Sequence, residues 1–268
     1  MKKNEPPTAP QLTLRLLGTG AADWDWRPRP LPPETRGSCS TLLDGHILID
    51  AGATAEENLR RGGIDPAAVT DVLITHSHND HFSVRALHAF AKAKGRRGKL
   101  RVWAAPEALA RLDSTVTKKR LTAGRCFQLG ELAVTTLPAN HVVEDLQEES
   151  FHFLIETPAG KRLLYALDGA WMTSRAKAML DGKPLDLIVW DATCGTTWND
   201  WRFADHNDLR MIRDLRESMA KAGIVTGETR HVFDHIARTL WPESAAKRRA
   251  AAKEYGGLLA ADGMELVL

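Results

Sequence analysis

The stretch that decides the fold is Asp71-Val72-Leu73-Ile74-Thr75-His76-Ser77-His78-Asn79-Asp80-His81. Its first half is short, apolar and β-branched, which predicts a buried strand ending at Thr75. The next six residues bring three histidines and an aspartate: His76, His78, Asp80 and His81. Imidazole nitrogens and carboxylate oxygens are the donors that suit zinc, manganese or iron. Alternate residues of an extended loop point the same way, so His76 and His78 can grip one ion. Asp80 and His81 are adjacent and can turn toward a second ion at the start of the following helix. The chain has only ten histidines, so chance is a poor explanation for three of them in this run.

Outward from this stretch, the apolar runs read as short strands and helices. Leu12-Thr13-Leu14-Arg15-Leu16-Leu17 alternates and stops at Gly18-Thr19-Gly20, as a strand entering a tight loop does. Thr41-Leu42-Leu43, an Asp44-Gly45 turn and His46-Ile47-Leu48-Ile49-Asp50 predict a hairpin. Further strands are predicted at residues 100–103, 132–137, 151–156, 162–166 and 187–190. Helices are predicted over residues 55–61, 84–94, 208–222 and 242–255. In the third, Leu209, Ile212, Leu215 and Met219 fall three or four apart and form one apolar face. There is no composition break, long linker or internal repeat. One α/β domain over residues 12–268 follows, preceded by a polar, proline-bearing tail, residues 1–11, that is expected to be flexible.

Four ligands do not complete two metal sites. His141 follows the strand at 132–137 in Leu137-Pro138-Ala139-Asn140-His141. Asp168 follows the strand at 162–166 in Ala166-Leu167-Asp168-Gly169, and His235 lies in Phe233-Asp234-His235-Ile236. Two of these stand just past strand ends, where loops gather functional groups in layered α/β folds. Singly, each would more often be structural; beside the cluster they form an ordered set.

On these residues the chain resembles the metallo-β-lactamase superfamily, whose His-x-His-x-Asp-His motif stands intact from His76 to His81. The resemblance also covers Gly18-Thr19-Gly20, Ile49-Asp50-Ala51-Gly52, His141, Asp168 and His235, and so spans nearly the whole chain. It implies a four-layer αβ/βα sandwich with two divalent metal ions, zinc or manganese, at one edge. It implies that His76, His78 and His141 hold one ion, that Asp80, His81 and His235 hold the other, and that Asp168 bridges them. Asp50 is expected to orient the ligand loop from behind.

A finer resemblance is to the PhnP-like branch, phosphodiesterases typified by the cyclic-phosphate hydrolase of phosphonate breakdown. It is carried by His206-Asn207-Asp208-Leu209 opening a helix, by Asp234-His235-Ile236-Ala237 after it, and by Asp262-Gly263-Met264-Glu265. In that branch the histidine matching His206 faces the substrate and is not a ligand. His206 and Asp80 are therefore the expected catalytic residues, with His206 protonating the leaving oxygen or hydrogen-bonding a phosphate oxygen. The resemblance implies hydrolysis of a small or cyclic phosphodiester by a hydroxide shared between two cations.

The departures are specific. The phosphonate-breakdown hydrolase has a cysteine-rich, zinc-binding loop after its opening glycines; here Ala21-Ala22-Asp23-Trp24-Asp25-Trp26 stands instead. A third, structural metal is not expected, and the substrate is left open. The long arm of ribonuclease Z is not evident either. His46, His88, His152 and His231 match no ligand position and read as structural or exposed. His231 stands four before His235, a spacing that could share a metal on a helix, but the family position is filled by His235 alone. Trp24, Trp26, Trp198 and Trp201 lie in two loops expected to approach the metal edge. They would either stack a base or sugar ring or bury the loops against the body. Lactone, thioester or amide hydrolysis would use the same ions and stays open, as do an iron redox enzyme and a non-catalytic scaffold.

Composition narrows the rest. A net charge of +2 and a pI near 8.4 are too mild to argue for nucleic acid or an acidic membrane surface. The one dense basic stretch, residues 92–101, reads as a solvated helix end. Cys39, Cys126 and Cys194 stand far apart, which indicates neither a disulfide framework nor a cysteine zinc site. The first residues lack the apolar core of a signal peptide, and no later run is long enough to span a bilayer. The expectation is a cytoplasmic enzyme acting on a small phosphodiester or related ester, with no membrane partner. Nucleic acid is not indicated, and a homodimer is left open.

Overall fold

Along each central strand, successive side chains enter two different apolar environments, and this alternation builds the layers. In β10 (Arg162–Ala166), Leu163 and Tyr165 point to the centre of the molecule while Leu164 and Ala166 point out against helices. β11 (Leu187–Asp191) repeats the pattern, with Leu187 and Val189 inward and Ile188 and Trp190 outward. In the opposite sheet, β3 (Ile47–Ile49) and β4 (Asp71–Leu73) send Ile47, Ile49 and Leu73 inward and Leu48 and Val72 outward. Strands that are apolar on both faces need cover on both. The result is two sheets face to face with helices outside each.

The computed structural model of the chain describes residues 11–28, 30–144 and 147–268. The expected flexible tail therefore lies, except for Gln11, outside the described residues. The first sheet adds β1 (Thr13–Gly18), β2 (Ser40–Leu43), β5 (Arg101–Ala104), β6 (Thr117–Arg120) and β14 (Met264–Val267). Its order is β14-β1-β2-β3-β4-β5-β6. The second adds β7 (Cys126–Leu129), β8 (Leu132–Pro138), β9 (Phe151–Glu156), β12 (Arg230–Asp234) and β13 (Leu258–Leu259), in the order β13-β12-β11-β10-β9-β8-β7. Helices α1 (Ala55–Arg61), α2 (Val84–Ala91) and α3 (Pro106–Ala110) cover the first sheet. Helices α4 (Ser174–Leu180), α5 (Leu209–Lys221) and α6 (Ala245–Glu254) cover the second. This is the four-layer αβ/βα sandwich that the resemblance implied.

Strands β3, β4 and β5 run parallel, as do β10, β11 and β12, so their carboxyl ends share one edge of the sandwich. In open α/β sheets that edge is where ligands bind. Most expected elements are present with shifted ends. The helix expected from residue 242 begins at Ala245, because Ser244 caps it by accepting the Lys247 N–H. Asp208 and Ala222 are the caps of α5 rather than part of it.

The unforeseen elements are β6, β7, β12, β13, β14, α3 and α4. β6 reads Thr-Lys-Lys-Arg, a charged edge strand that becomes a strand only by pairing with β5. β12 puts His231 on a strand, so the helical pairing with His235 does not arise. Its Nδ1 instead accepts the Trp190 indole N–H at 3.1 Å, and burial lowers its pKa to about 4. Among the described residues, no helix is long and apolar enough to cross a membrane.

Candidate active site

Six functional side chains are delivered by strand ends at the shared edge. Asp50 follows β3, His76 follows β4, His141 follows β8, Asp168 follows β10, Asp191 closes β11, and His235 follows β12. Three of these residues turn the chain sharply by taking left-handed backbone: Asp50 (φ 60°), Asp168 (φ 48°) and His235 (φ 57°). Such conformations are costly for residues with a side chain and concentrate at functional sites. The loop from His78 to His81 is laid against the turn after β3 by three backbone bonds. Ala51 N–H donates to His81 O, Ala53 N–H to Asn79 O, and Ser83 N–H to Ala51 O.

All seven expected ligands converge here, in two groups. His76 Nε2 and His141 Nε2 each stand 3.0 Å from His78 Nδ1, and they lie 3.4 and 3.5 Å from Asp168 Oδ2. His81 Nε2 and His235 Nε2 stand 3.1 Å apart, with Asp80 Oδ2 at 3.5 and 3.2 Å from them. Asp168 Oδ1 lies 3.3 and 3.1 Å from the same two nitrogens. One carboxylate thus presents one oxygen to each group. His76, Asp80, His81, Asp168 and His235 are buried, while His78 and His141 are half-buried and face the cavity.

The hydrogen bonds behind the rings decide which nitrogens offer lone pairs. Thr75 Oγ1 donates to Asp50, so it accepts from His76 Nδ1–H at 3.0 Å. His81 Nδ1–H donates to Asp50 Oδ2 at 2.8 Å. Thr193 Oγ1 donates to Asp191 and so accepts from His235 Nδ1–H at 2.6 Å. His141 Nδ1–H donates to Asp205 O at 3.4 Å, and His78 Nε2 lies 3.3 Å from Glu144. With the outer nitrogens protonated, the inner ones carry lone pairs that cannot all be satisfied by each other. Asp168 Oδ1 is likewise buried without a hydrogen-bond partner.

Ligand bonds of ~2.1 Å in tetrahedral array would space donor atoms by roughly 3.4 Å. The observed 3.0–3.5 Å spacings fit a divalent cation in each group. Burial pushes the Asp80 and Asp168 carboxyls up, but His81 and His235 in their protonated forms outweigh it and hold both well below the usual carboxylate range. Cations compete with protons for such a set.

His206, expected not to be a ligand, stands beside the second group, where Asp191, His206 and His235 form a further set of donors close enough to hold a cation. Its ring lies 5.2 Å from that of His141 and 5.5 Å from that of His235, on the wall of the same cavity. Nδ1–H donates to Asp191 Oδ2 at 2.9 Å, leaving Nε2 without a protein partner among the described residues. Burial alone would lower the His206 pKa; the Asp191 carboxylate outweighs burial and holds it above the ordinary histidine range. Asp191 also accepts from Gly169 N–H and from Thr193, tying His206 to the Asp168 loop. Asp191 and Thr193 were not anticipated from the sequence. The available signal was position: Asp191 ends an apolar run just as Asp168 nearly does.

The cavity measures about 670 Å³, and Arg111 and Arg202 add two guanidinium groups to its lining. Of the four tryptophans expected at this edge, only Trp201 lines it. The Trp24 indole N–H donates to Ile236 O, and that ring faces a neighbouring cavity of about 830 Å³. The Trp26 indole donates to Arg36 O, and Trp198 packs against the outer helices beneath the Arg210 guanidinium, 3.8 Å from its ring centre. Where cysteines were absent, Asp23 holds the loop by accepting the Arg238 and Thr239 backbone N–H groups. Buried His152 stacks behind Gly169, and burial lowers its pKa to about 4.

Layering, strand-end donors and a shared carboxylate together define a class of protein. Residues 46–237 match the family described as the beta-lactamase superfamily domain, and the chain belongs to it, as a metallo-β-lactamase-fold protein with PhnP-like relatives. In sequence it is 27% identical over 118 residues to ribonuclease Z of Aeropyrum pernix, 42% of this chain and 36% of that one. It is 30% identical over 140 residues to ribonuclease Z of Pyrobaculum islandicum, 50% of this chain and 44% of the relative. The matched region thus spans less than half the length of these relatives. In structure it is similar to the metallo-beta-lactamase fold protein YhfI of Bacillus subtilis, with TM-score 0.73 and 17% identity over 97% of this chain and 100% of the other. It is also similar to a diphosphatase of the PhnP family, with TM-score 0.71 and 21% identity over 97% and 98% of the two chains.

Proposed function

We propose that the chain, with residues 12–268 acting as one domain, is a metal-dependent phosphodiesterase holding two divalent cations, zinc or manganese. The observation that carries this reading is the surround of one pocket. His78, Asp80, His141, Asp168 and His235 of the donor groups, the Asp191-held His206, and Arg111 and Arg202 line the same cavity. That combination suits an anionic substrate whose leaving oxygen must take up a proton. The names of similar proteins, ribonuclease Z and a PhnP-family diphosphatase, point to phosphorus esters as well.

In this reading His76, His78 and His141 hold one cation, Asp80, His81 and His235 the other, and Asp168 both. When bound, the cations supply an acidified water and neutralise charge that develops on the phosphoryl oxygens. Thr75, Asp50 and Thr193 keep the imidazole rings aimed. Arg111 and Arg202 draw the phosphate in. Asp191 holds His206 so that Nε2 can pass its proton to the departing alkoxide. The free thiols of Cys39, Cys126 and Cys194 suit a reducing, cytoplasmic setting. Metal analysis together with assays on bis-p-nitrophenyl phosphate, cyclic nucleotides, a lactone and a thioester tests the proposal. Turnover of the phosphodiesters is expected; turnover confined to the lactone or thioester would overturn it.

A further inference from the structure

Six large apolar side chains stand exposed among the described residues: Val142 (57%), Trp171 (44%), Trp201 (74%), Phe203 (58%), Leu258 and Val267. The first four belong to three adjoining loops, and two of them, Val142 and Trp201, line the cavity of the candidate site. Asn140 Nδ2 donates to Ala170 O and Ala204 O, and Asn207 Oδ1 accepts the Trp171 N–H. Val142 directly follows His141, and a short 3₁₀ turn, Trp201–Ala204, carries Trp201 and Phe203 just before His206. Apolar surface gathered at a pocket mouth marks a binding surface more often than chance does.

The lining says what would bind. Trp201 is the one tryptophan, tyrosine or phenylalanine among the residues around the cavity. Beside it Arg202 is pinned by Asp200 at 2.7 and 2.9 Å, its guanidinium 5.8 Å from the indole centre, and Arg111 stands in the same wall. A cavity of about 670 Å³ far exceeds a phosphate group and has room for a nucleotide-sized ester. We propose that Trp201, which shares the cavity lining with Val142, is a specificity determinant that stacks a flat ring of the substrate, a nucleobase or an aryl group. The phosphate of the same molecule lies toward Arg111, Arg202 and the donor clusters. This rests on the phosphodiesterase reading and gives its substrate a class: phosphate esters that carry a planar ring.

The test is calorimetric binding of four product-like monoesters to the metal-loaded protein: adenosine monophosphate, phenyl phosphate, ribose 5-phosphate and methyl phosphate. The ring-bearing esters should bind about tenfold more tightly than the ring-free ones. Trp201→Ala should abolish that preference, leave ribose 5-phosphate and methyl phosphate unchanged, and melt at the wild-type temperature; Trp201→Phe should restore most of the preference. A preference shown by adenosine monophosphate alone assigns the platform to a base, and one shared with phenyl phosphate assigns it to any flat ring. Equal binding of all four, or a preference that survives Trp201→Ala, overturns the platform. A change of solution mass in Trp201→Ala does so too, since the patch would then be a contact with a second copy. Failure of all four to bind overturns the phosphodiesterase reading instead.

Discussion

Replacing Gly52 with alanine should dislodge half of the ligand cluster without altering any ligand. Gly52 lies between Ala51 and Ala53, whose backbones hold His81 O and Asn79 O. The crossing is so close that a Cβ at position 52 would stand 1.9 Å from the Asp80 carbonyl oxygen and 2.3 Å from its carbon. Real Cβ atoms do not approach below 3.0 Å, so the Asp80 backbone must retreat by about 1.1 Å or more. No rotamer can relieve the overlap, because both partners are main chain. Asp80 and His81 would be carried away from His235, now 3.2 and 3.1 Å from them. Overpacking of this kind costs about 1–3 kcal/mol of stability. A misplacement of ~1 Å in a reacting constellation costs on the order of 10² in rate. In Gly52→Ala, metal titration by calorimetry should show the weaker cation bound at least about tenfold less tightly, the melting temperature should fall by a few degrees, and turnover should drop on the order of a hundredfold. Wild-type metal affinity with an unchanged melting temperature would refute the argument that the backbone crossing positions the loop.

His206→Gln should retain both cations by elemental analysis while turnover falls by roughly 10²–10⁴, the usual worth of a positioned proton donor; loss of metal would make His206 a ligand instead. Because Asp191 holds His206 above the ordinary range, the protonated donor persists to higher pH. Asp191→Asn should therefore move the basic limb of the kcat/KM profile to lower pH, and an unmoved limb would uncouple the pair. The stabilisation from this pair is complete below the ordinary histidine pKa and is lost as pH rises through the raised value, so the variant's deficit in melting temperature should shrink at alkaline pH. Far from the site, Asp71 is buried, which pushes its carboxyl up, but Arg101, Trp103 and Thr70 donate to it and hold it below the usual range. That contribution is present above the unfolded carboxylate pKa and lost as pH falls through the depressed folded value. Asp71→Asn should lower the melting temperature at pH 7 and flatten its decline in acid, which thermal melts across pH 2–7 would read.

The ligand loop was legible because its signal is local: a buried run ending in His76, His78, Asp80 and His81 states both the strand and the chemistry within eleven residues. Central strands were legible for a similar reason, since β-branched and leucine runs such as Leu163-Leu164-Tyr165 are apolar on both faces whatever they pair with. His141, Asp168 and His235 could be picked out by position beside the cluster, but their division between two ions came only from the family resemblance. Local pattern alone could not show β6, whose polar residues become strand only by bonding a neighbour's edge.

Asp191 shows the limit most clearly. Its sequence neighbourhood is an ordinary strand end, and it becomes the partner of His206 only because β10, β11 and β12 run parallel in register and end together. Residue type and periodicity are properties of a few consecutive positions, so the available donors and the buried segments could be read before any fold was known. Folding alone brings His81 and His235, far apart in the chain, to 3.1 Å, gives one Asp168 oxygen to each group, and turns Trp201 rather than Trp24 to the pocket. Those outcomes are set by strand register and by the left-handed turns at Asp50, Asp168 and His235, which aim side chains through contacts no local stretch contains.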